Sequence, residues 1–207
     1  VKLHWCRFQS YYDDDWHGSW SLDGGVVNQQ AIHHLDALCQ LVGLPCKVSA
    51  VSCNVVNMLE AEDTLAAVFK FSEGFIGTFE ATTALRPQDV EASLRIVGTE
   101  GIAQIGGVAL NKIDLWNFNT RKDSDSNVIE RYSRDVPNGY GLGHLELIRT
   151  VFEKLRSGQV NAPIDIKSCI PVSRLVHSLY ESAATDRWVN LDENVVFAKL
   201  GDIELGI

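Results

Sequence analysis

One short segment, DGGVVNQQAIHHLD at positions 23–36, carries side chains suited to proton transfer at a hydroxyl group. Gln29, His33, Asp36 and Gln40 follow one another at spacings of four, three and four residues, which places them on one face of a helix. A neutral imidazole can take a proton near pH 7, and an amide can hold a hydroxyl by hydrogen bonds. We therefore predict that His33 and Gln29 face a bound molecule.

The same segment allows two other interpretations. His33 on the exposed side of a helix is compatible with simple solvation. A metal site built from His33, His34 and Asp36 is the second alternative, but adjacent residues point about 100° apart on a helix, so both imidazoles cannot easily share one ion. We therefore predict no metal site. Gly24 and Gly25, at the junction of loop and helix, let the backbone approach another group closely.

The helices and strands that must position these side chains follow from hydrophobic periodicity. Apolar residues at spacings of three and four predict a helix over residues 26–42, ended by Gly43: Val27, Ala31, Leu35, Leu38 and Val42. Between about residues 46 and 132, segments rich in β-branched and aromatic residues predict strands. Short turns at 72–74 (SEG) and 99–101 (TEG) predict antiparallel neighbours. Two helices are predicted to close the chain, over about 143–156 and 167–184, with Pro171 in the first turn of the second.

This order of elements predicts an α+β fold, with an open, largely antiparallel (mixed) β-sheet and helices on one face. Strand residues such as Ala66, Ala67, Val68 and Phe69 are apolar on both faces. We therefore expect the second face to be covered as well, by a homo-oligomer formed through the sheet or by packing within the chain. A length of 207 residues predicts one domain, and an opening inside a strand without Met indicates a fragment of a longer protein.

Composition narrows the classes of partner. A net charge of -9 argues against nucleic acid, because phosphate binding relies on basic patches. No apolar run approaches the roughly 18 residues that a membrane span needs, so no membrane partner is expected. The five cysteines show no CxxC pair, which predicts buried free thiols in a reducing cytoplasm rather than disulfides or a zinc site.

The segment at 23–36 resembles the Gly-Gly-Gly-x-x-x-Asp-x-x-x-His signature of the Gfo/Idh/MocA oxidoreductases, which commonly continues His-x-x-Asp. Gly24, Gly25, His33 and Asp36 match in register. The resemblance continues through WHGSWSLDGG, through IVGTEGIAQI with its Gly-Thr-x-Gly turn, and through the closing helices with their Tyr-x-Ser-Ala element. It covers nearly the whole chain, to about Leu191.

The resemblance implies a dihydrodipicolinate-reductase-like C-terminal substrate domain, with His33 as base or proton relay at a substrate hydroxyl. Gln29 and Asp36 share the polar face with His33, and Tyr140 and His144 lie where family members often reach substrate. Arg7, Tyr11 and Trp20 flank the loop before the signature and are expected to contact a sugar or its phosphate, with packing of the loop as the alternative. Two positions depart from the signature, Asp23 for the first Gly and Gln29 for the usual Asp. An amide cannot accept a proton as a carboxylate does, so His33 would carry more of the proton transfer. Amide variants include dehydrogenases of UDP-N-acetyl-hexosaminuronic acids, which indicates a nucleotide sugar.

The cofactor of such an enzyme, NAD or NADP, would be bound by an N-terminal Rossmann domain that this sequence lacks. The family's GxGxxG turn and Glu-Lys-Pro motif are absent, and GYGLG at 139–143 does not follow a predicted strand. We therefore expect no cofactor-binding residue here and no turnover by residues 1–207 alone. The implied activity is oxidation at a CH–OH group of a sugar, sugar acid or nucleotide sugar. The alternative is a non-catalytic ligand-sensing or oligomerisation module on the same scaffold.

Overall fold

A computed structural model describes residues 1–120, 122, 125–192 and 195–201, and within it the chain forms two compact units. The first comprises Val1–Glu91 and Pro171–Ile207, and the second comprises Ala92–Ile170. The strands are β1 (Lys2–His4), β2 (Lys47–Cys53), β3 (Thr64–Lys70), β4 (Ile76–Thr82), β5 (Glu91–Gly98), β6 (Gly101–Gly106), β7 (Lys112–Phe118) and β8 (Val189–Asn190). The helices are α1 (Val26–Gln29), α2 (Ile32–Val42), α3 (Val128–Tyr132), α4 (Gly143–Arg156) and α5 (Ile170–Thr185). Short 3₁₀ turns cover Gln9–Tyr11 and Ile166–Cys169.

The first unit contains a mixed sheet in the order β1-β4-β3-β2-β8. β2, β3 and β4 pair antiparallel through short connections, and β1 lies parallel to β4, which confirms the predicted largely antiparallel, mixed sheet. Along β3, Leu65, Ala67 and Phe69 are buried while Ala66 and Val68 are exposed. One sheet face is therefore packed into the core, and in this unit the other is open.

The buried face is covered by α2 and α5, whose buried apolar residues recur at helical spacing: Leu35, Leu38, Val172, Leu175, Val176 and Leu179. The α5 helix occupies nearly the range predicted for the last helix, with Pro171 in its first turn. Ser182 joins it to the sheet by accepting the N–H of Ala50 at 2.9 Å. The α+β interpretation is thus confirmed.

The second unit contains three antiparallel strands in the order β7-β6-β5. The turn predicted at 99–101 joins β5 to β6, so this prediction is confirmed. The α4 helix has the predicted bounds and an amphipathic pattern. Within the described structure its apolar residues are exposed, including Leu145, Ile148, Phe152 and Leu155.

The continuous helix predicted over residues 26–42 was wrong, because α1 ends at Gln29 and α2 begins at Ile32. The N–H of Ala31 donates to the carbonyl of Val26 at 2.8 Å, five residues earlier, instead of to that of Val27. A hydrogen bond that spans five residues instead of four widens the turn by one residue, as in a π-bulge. The break separates Gln29 from His33, so the two side chains do not follow simple i, i+4 geometry.

The cysteines are all free thiols, as predicted, but the expectation that they are buried was wrong. Cys53 and Cys169 are exposed, and the other three are partly buried. In the described part of the chain, none of the helices has the length and apolar character needed to cross a membrane.

Candidate active site

The signature segment begins at the start of α1, where the first backbone amides of a helix have no partner within the helix. Here the protein itself supplies the acceptors. The N–H of Val26 donates to the carbonyl of Glu62 at 3.0 Å, and that of Val27 donates to Glu62 Oε1 at 3.0 Å. The N–H groups of Gly25 and Asn28 donate to the hydroxyl of Tyr180 at 3.1 and 3.2 Å. All four amides are therefore satisfied by Glu62 and Tyr180.

The two glycines are needed at this junction because Glu62 and Tyr180 lie so close. A Cβ on Gly25 would collide with the carbonyl and carboxyl oxygens of Glu62. Gly24 has φ +75°, and a Cβ there would lie 3.2 Å from the Tyr180 hydroxyl and 2.9 Å from Leu200 Cδ1. The close approach predicted from the glycines is confirmed, and the group approached is part of the protein itself.

Burial sets the ionisation of both partners. Glu62 is 4% exposed, and this desolvation raises the pKa of its carboxyl group to about 8, against the lowering effect of the hydrogen bond from Val27. Burial, followed by the nearby charge of Glu62, also raises the pKa of Tyr180 well above its ordinary value of 10.0. Near pH 7 both groups are therefore mostly neutral. Neither Glu62 nor Tyr180 was predicted from the sequence to belong to the site.

Gln29 ends α1 and lies half-buried beside Tyr11. Its Nε2 donates to the Tyr11 hydroxyl at 2.6 Å, while its Oε1 is buried and has no hydrogen-bond partner among the described residues. An amide fixed in this way holds a buried oxygen whose capacity to accept a hydrogen bond is unused within the described residues. The structure therefore brings Gln29 and Tyr11 together, and their contact with substrate stays a prediction.

A histidine that the sequence analysis left unassigned extends this cluster. The His17 ring stacks on Trp16 with centroids 3.6 Å apart and lies 4.5 Å from the Tyr11 ring. Its Nδ1 lies 2.6 Å from Asp14 Oδ2, and the hydrogen bonds from His17 help to lower the pKa of Asp14. The Asp-x-x-His spacing was the signal that could have indicated this pair.

His33 lies exposed in the first turn of α2, and Asp36 is half-buried one turn later, with Gln40 Nε2 3.5 Å from Asp36 Oδ1. His34 faces the other way. Its ring is 2% exposed and meets Trp5 edge-on with centroids 6.2 Å apart. Burial lowers the pKa of His34 to about 4, so it is neutral at pH 7.

Arg7 and Trp20 are occupied by contacts within the protein. Arg7 Nη1 forms an ion pair with Asp89 Oδ1 at 3.0 Å, and the guanidinium lies 5.7 Å from the Tyr11 ring. The Trp20 ring packs edge-on against Tyr180, with centroids 5.1 Å apart. Arg7 thus borders the Gln29–Tyr11 cluster, whereas Trp20 packs against the buried Tyr180.

Tyr140 and His144 lie in the second unit, with ring centroids 6.2 Å apart and both side chains exposed. Their membership of the same site as His33 stays a prediction. Across the residues that the structure describes, no three His, Cys, Asp or Glu side chains are grouped as they would be around a metal ion.

Asp23, the residue that replaces the first glycine of the signature, is buried and serves the loop. Its Oδ2 accepts the N–H of Gly18 at 3.1 Å, and its carbonyl accepts from Asn28 Nδ2 at 2.7 Å. Burial raises the pKa of Asp23 above its ordinary value. This departure from the signature therefore has a structural explanation within the turn before α1.

That Gln29 and His33 bind a hydroxyl-bearing molecule and remove a proton from it stays a prediction. Gln29 presents a hydrogen-bond acceptor, and His33 presents an exposed imidazole in the adjoining helix. Residues 139–143 lead from a turn into α4 and do not follow a strand, so this segment lacks the strand–turn–helix arrangement of a phosphate-binding loop. Residues 139–143 are therefore given no role in binding a cofactor.

Residues 1–104 match the family model of the GFO/IDH/MocA C-terminal domain, and the chain belongs to this family. No curated protein sequence matches it. The matched region contains the whole signature segment, Tyr11 and Glu62, whereas Tyr180 lies outside it.

Solved structures extend the likeness beyond that region. The WlbA dehydrogenase from Bordetella pertussis, in complex with NADH and UDP-GlcNAcA, is 33% identical, with a TM-score of 0.83 over 92% of this chain and 55% of that chain. The WlbA dehydrogenase from Chromobacterium violaceum, in complex with the same two ligands, is 31% identical, with a TM-score of 0.81 over 92% and 53%. A levoglucosan dehydrogenase in complex with NADH and levoglucosan, at 20% identity and a TM-score of 0.64, shares the fold. The chain thus spans about half the length of the WlbA dehydrogenases.

Proposed function

We propose that this chain is the substrate-binding half of an NAD(P)-dependent oxidoreductase that acts on a CH–OH group of a sugar, sugar acid or nucleotide sugar. The observation that carries the proposal is the exposed His33 in the α2 helix, in a segment that matches the family domain and follows the unpartnered acceptor of Gln29. The similarity to two dehydrogenases in complex with NADH and UDP-GlcNAcA supports a nicotinamide cofactor and a nucleotide-sugar substrate.

In this proposal the side chains of the first unit perform the proton half of the reaction. Gln29 Oε1 accepts a hydrogen bond from a substrate hydroxyl, while Tyr11 holds the amide in that orientation through Nε2. An imidazole nitrogen of His33 takes the hydroxyl proton as the carbonyl forms. The bound nicotinamide of the whole protein, NAD or NADP, would accept the hydride. Asp36 is proposed to add a further substrate contact in the first unit.

UDP-N-acetyl-hexosaminuronic acids are the proposed substrate class within nucleotide sugars. The support is the amide at position 29 together with 33% and 31% identity to the WlbA dehydrogenases bound to UDP-GlcNAcA. The Arg7 guanidinium lies 5.7 Å from the Tyr11 ring, and its ion pair with Asp89 holds it at that edge of the cluster. Arg7 is therefore proposed to contact the anionic part of the ligand.

We further propose that the whole protein is a cytoplasmic homo-oligomer assembled through the open face of the sheet. On that face of the first unit, Val51 and Ile76 are 64% and 71% exposed and Val68 is also exposed. Large apolar side chains exposed on an open sheet face are typical of an interface. The exposed free thiols of Cys53 and Cys169 are compatible with a reducing compartment.

Ligand-dependent stabilisation tests the proposal directly. Thermal unfolding of the 207-residue chain would be measured with UDP-GlcNAcA, with simple sugar acids and with NADH, for wild type and His33→Ala. A rise in the midpoint with UDP-GlcNAcA that is reduced in His33→Ala supports the proposal. The control is His4→Ala, which removes an imidazole paired with Glu80 outside the site and should keep the ligand response.

Two outcomes would contradict the proposal. A sugar response of equal size in wild type and His33→Ala would remove His33 from the substrate site. Stabilisation by NADH without any sugar response would place the cofactor site in this half of the protein. Binding of the sugar by a protein that also carries the nucleotide-binding half, without any oxidation, would instead favour the non-catalytic sensing alternative.

A further inference from the structure

Glu62 and Tyr180 come from distant parts of the chain and meet at the start of α1. Tyr180 donates its hydroxyl hydrogen to Glu62 Oε1 at 3.1 Å, and the same hydroxyl oxygen accepts the N–H groups of Gly25 and Asn28. Glu62 accepts from Val26 and Val27. The Glu62–Tyr180 pair is called the helix clamp below.

The helix clamp removes one function that the start of α1 could otherwise have. Free amides at a helix N-terminus bind phosphate or carboxylate groups, and glycines there usually permit the ligand to approach. Here the four amides from Gly25 to Asn28 are all bonded to the clamp, and the two glycines make room for it. The start of α1 is therefore held in place by the clamp, and these four amides are not free to bind an anion.

Glu62 is itself held by a strap of residues 60–63 that runs along the signature loop. Glu60 Oε2 accepts the N–H of Trp20 at 3.1 Å, and the N–H of Ala61 donates to the carbonyl of Gly18 at 3.0 Å. On the other side, the Asp63 carboxylate accepts three backbone amides, those of residues 55, 56 and 57, at 2.8, 3.1 and 2.9 Å. The carboxyl group of Glu62 is thus presented to α1 from a segment fixed on both sides.

Tyr180 is fixed in a comparable way. It is 2% exposed on α5, and its ring contacts Trp20 and Phe197 with centroids 5.1 and 5.5 Å apart. Its hydroxyl cannot move without breaking the bonds to α1. The position of α1, and with it the Gln29 side chain at its end, is therefore determined by two groups buried in the protein.

We infer that Glu62 and Tyr180 are positioning residues for the candidate active site, which hold α1 so that Gln29 and His33 are presented to substrate. This inference rests on the proposed function of His33. Neither clamp residue touches the substrate, and both act through the backbone of the signature segment. Gln29 is the last residue of α1, so the orientation of its side chain follows directly from the position of α1. The orientation of the His33 side chain depends on the position of α1 through the widened turn at Gln30 and Ala31.

The replacement Tyr180→Phe tests this inference, because it keeps the buried ring and removes only the hydroxyl. The N–H groups of Gly25 and Asn28 lose their acceptor, so their hydrogen exchange should become faster in the variant. The NMR signals of the His33 ring should shift, while those of His144 in the second unit should stay unchanged. In the protein that contains this chain and its nucleotide-binding half, kcat for UDP-GlcNAcA should fall about 10- to 100-fold, the size expected for a small misplacement of a reacting group, with a smaller change in KM.

A matched control separates positioning from general loss of stability. Ser182→Ala removes a buried hydroxyl from the same helix, where it bonds to Ala50 N–H and the Arg187 carbonyl, away from α1. It should lower the midpoint of thermal unfolding and leave both kcat and the His33 signals unchanged. A Tyr180→Phe protein with wild-type kcat and unshifted His33 signals overturns the inference, whatever its stability.

Failure of the proposed function would look different from failure of this inference. If wild-type protein neither binds nor oxidises a sugar, the proposed function fails, but the shift of the His33 signals and the exchange at Gly25 and Asn28 still decide whether the clamp positions the segment. If wild type is active and Tyr180→Phe matches it, only the positioning role fails.

Discussion

The buried carboxyl group of Glu62 makes the stability of this protein depend on pH, and Glu62→Gln isolates that dependence. The pKa of Glu62 is about 8 in the folded chain, because burial disfavours the charged form, against 4.5 in an unfolded chain. Between these two values the folded protein keeps a proton that the unfolded protein has released. Raising the pH therefore favours unfolding, and the stabilisation present below about pH 4.5 is lost as the pH rises through about 8.

The magnitude follows from the interval between the two pKa values. Each unit corresponds to about 1.4 kcal/mol, so the full interval amounts to about 5 kcal/mol in the free energy of unfolding. The glutamine side chain that the variant carries at this position has a similar shape and does not titrate. The stability of wild type relative to Glu62→Gln should thus fall by about 1.4 kcal/mol per pH unit between about pH 5 and about pH 8.

Urea unfolding of both proteins at a series of pH values measures this difference. Other titrating groups, including the neighbouring Asp63 and Tyr180, are present in both proteins, so their contributions largely cancel in the comparison. A difference that stays constant across this range would refute the reasoning. It would mean that the Glu62 carboxyl group ionises in the folded protein as easily as in the unfolded one, and is therefore hydrated or paired with a cation.

Three further predictions address the signature segment. Gly25→Ala should lower the free energy of unfolding by about 1–3 kcal/mol, because the added Cβ overlaps the helix clamp. Gly143 lies in open space, so Gly143→Ala should not lower the free energy of unfolding. Urea unfolding of the two variants measures this difference. Tyr11→Phe removes the hydroxyl that holds the amide of Gln29, so it should lower the free energy of unfolding by about 0.5–1.5 kcal/mol. It should also weaken sugar binding in calorimetric titrations, and an unchanged affinity would contradict this prediction. Burial lowers the pKa of His34 from 6.5 to about 4. The free energy of unfolding of wild type should therefore fall by about 3 kcal/mol relative to His34→Leu as the pH falls from about 6.5 to about 4. A difference between the two proteins that does not depend on pH would contradict this prediction.

Local patterns in the sequence were sufficient for much of the fold. The α4 helix has the predicted bounds of Gly143–Arg156, and the turns at 72–74 and 99–101 join antiparallel strands. These elements depend on residues close in sequence, through helical spacing or through turn-forming glycines. The resemblance of Gly24, Gly25, His33 and Asp36 to a family signature predicted the family, which the match over residues 1–104 confirms.

The features that were missed depend on residues far apart in sequence. Gly24 and Gly25 indicated a close approach, but nothing local could show that the partners were Glu62, about 35 residues later, and Tyr180, about 155 residues later. The break between α1 and α2 was missed because the apolar spacing of residues 26–42 fits one helix, and this spacing gives no sign of the widened turn at Gln30 and Ala31.

The oxidation of UDP-GlcNAcA by a protein that joins this chain to the proposed nucleotide-binding half tests the central claim most directly. NADH formation would be followed for wild type and His33→Asn, which keeps a polar side chain but cannot serve as a base at neutral pH. Turnover by wild type, with kcat reduced about 10²- to 10⁴-fold in His33→Asn and KM little changed, is the predicted result for loss of a general base. Equal kcat in the two proteins would show that the exposed imidazole of the signature segment does not take the substrate proton.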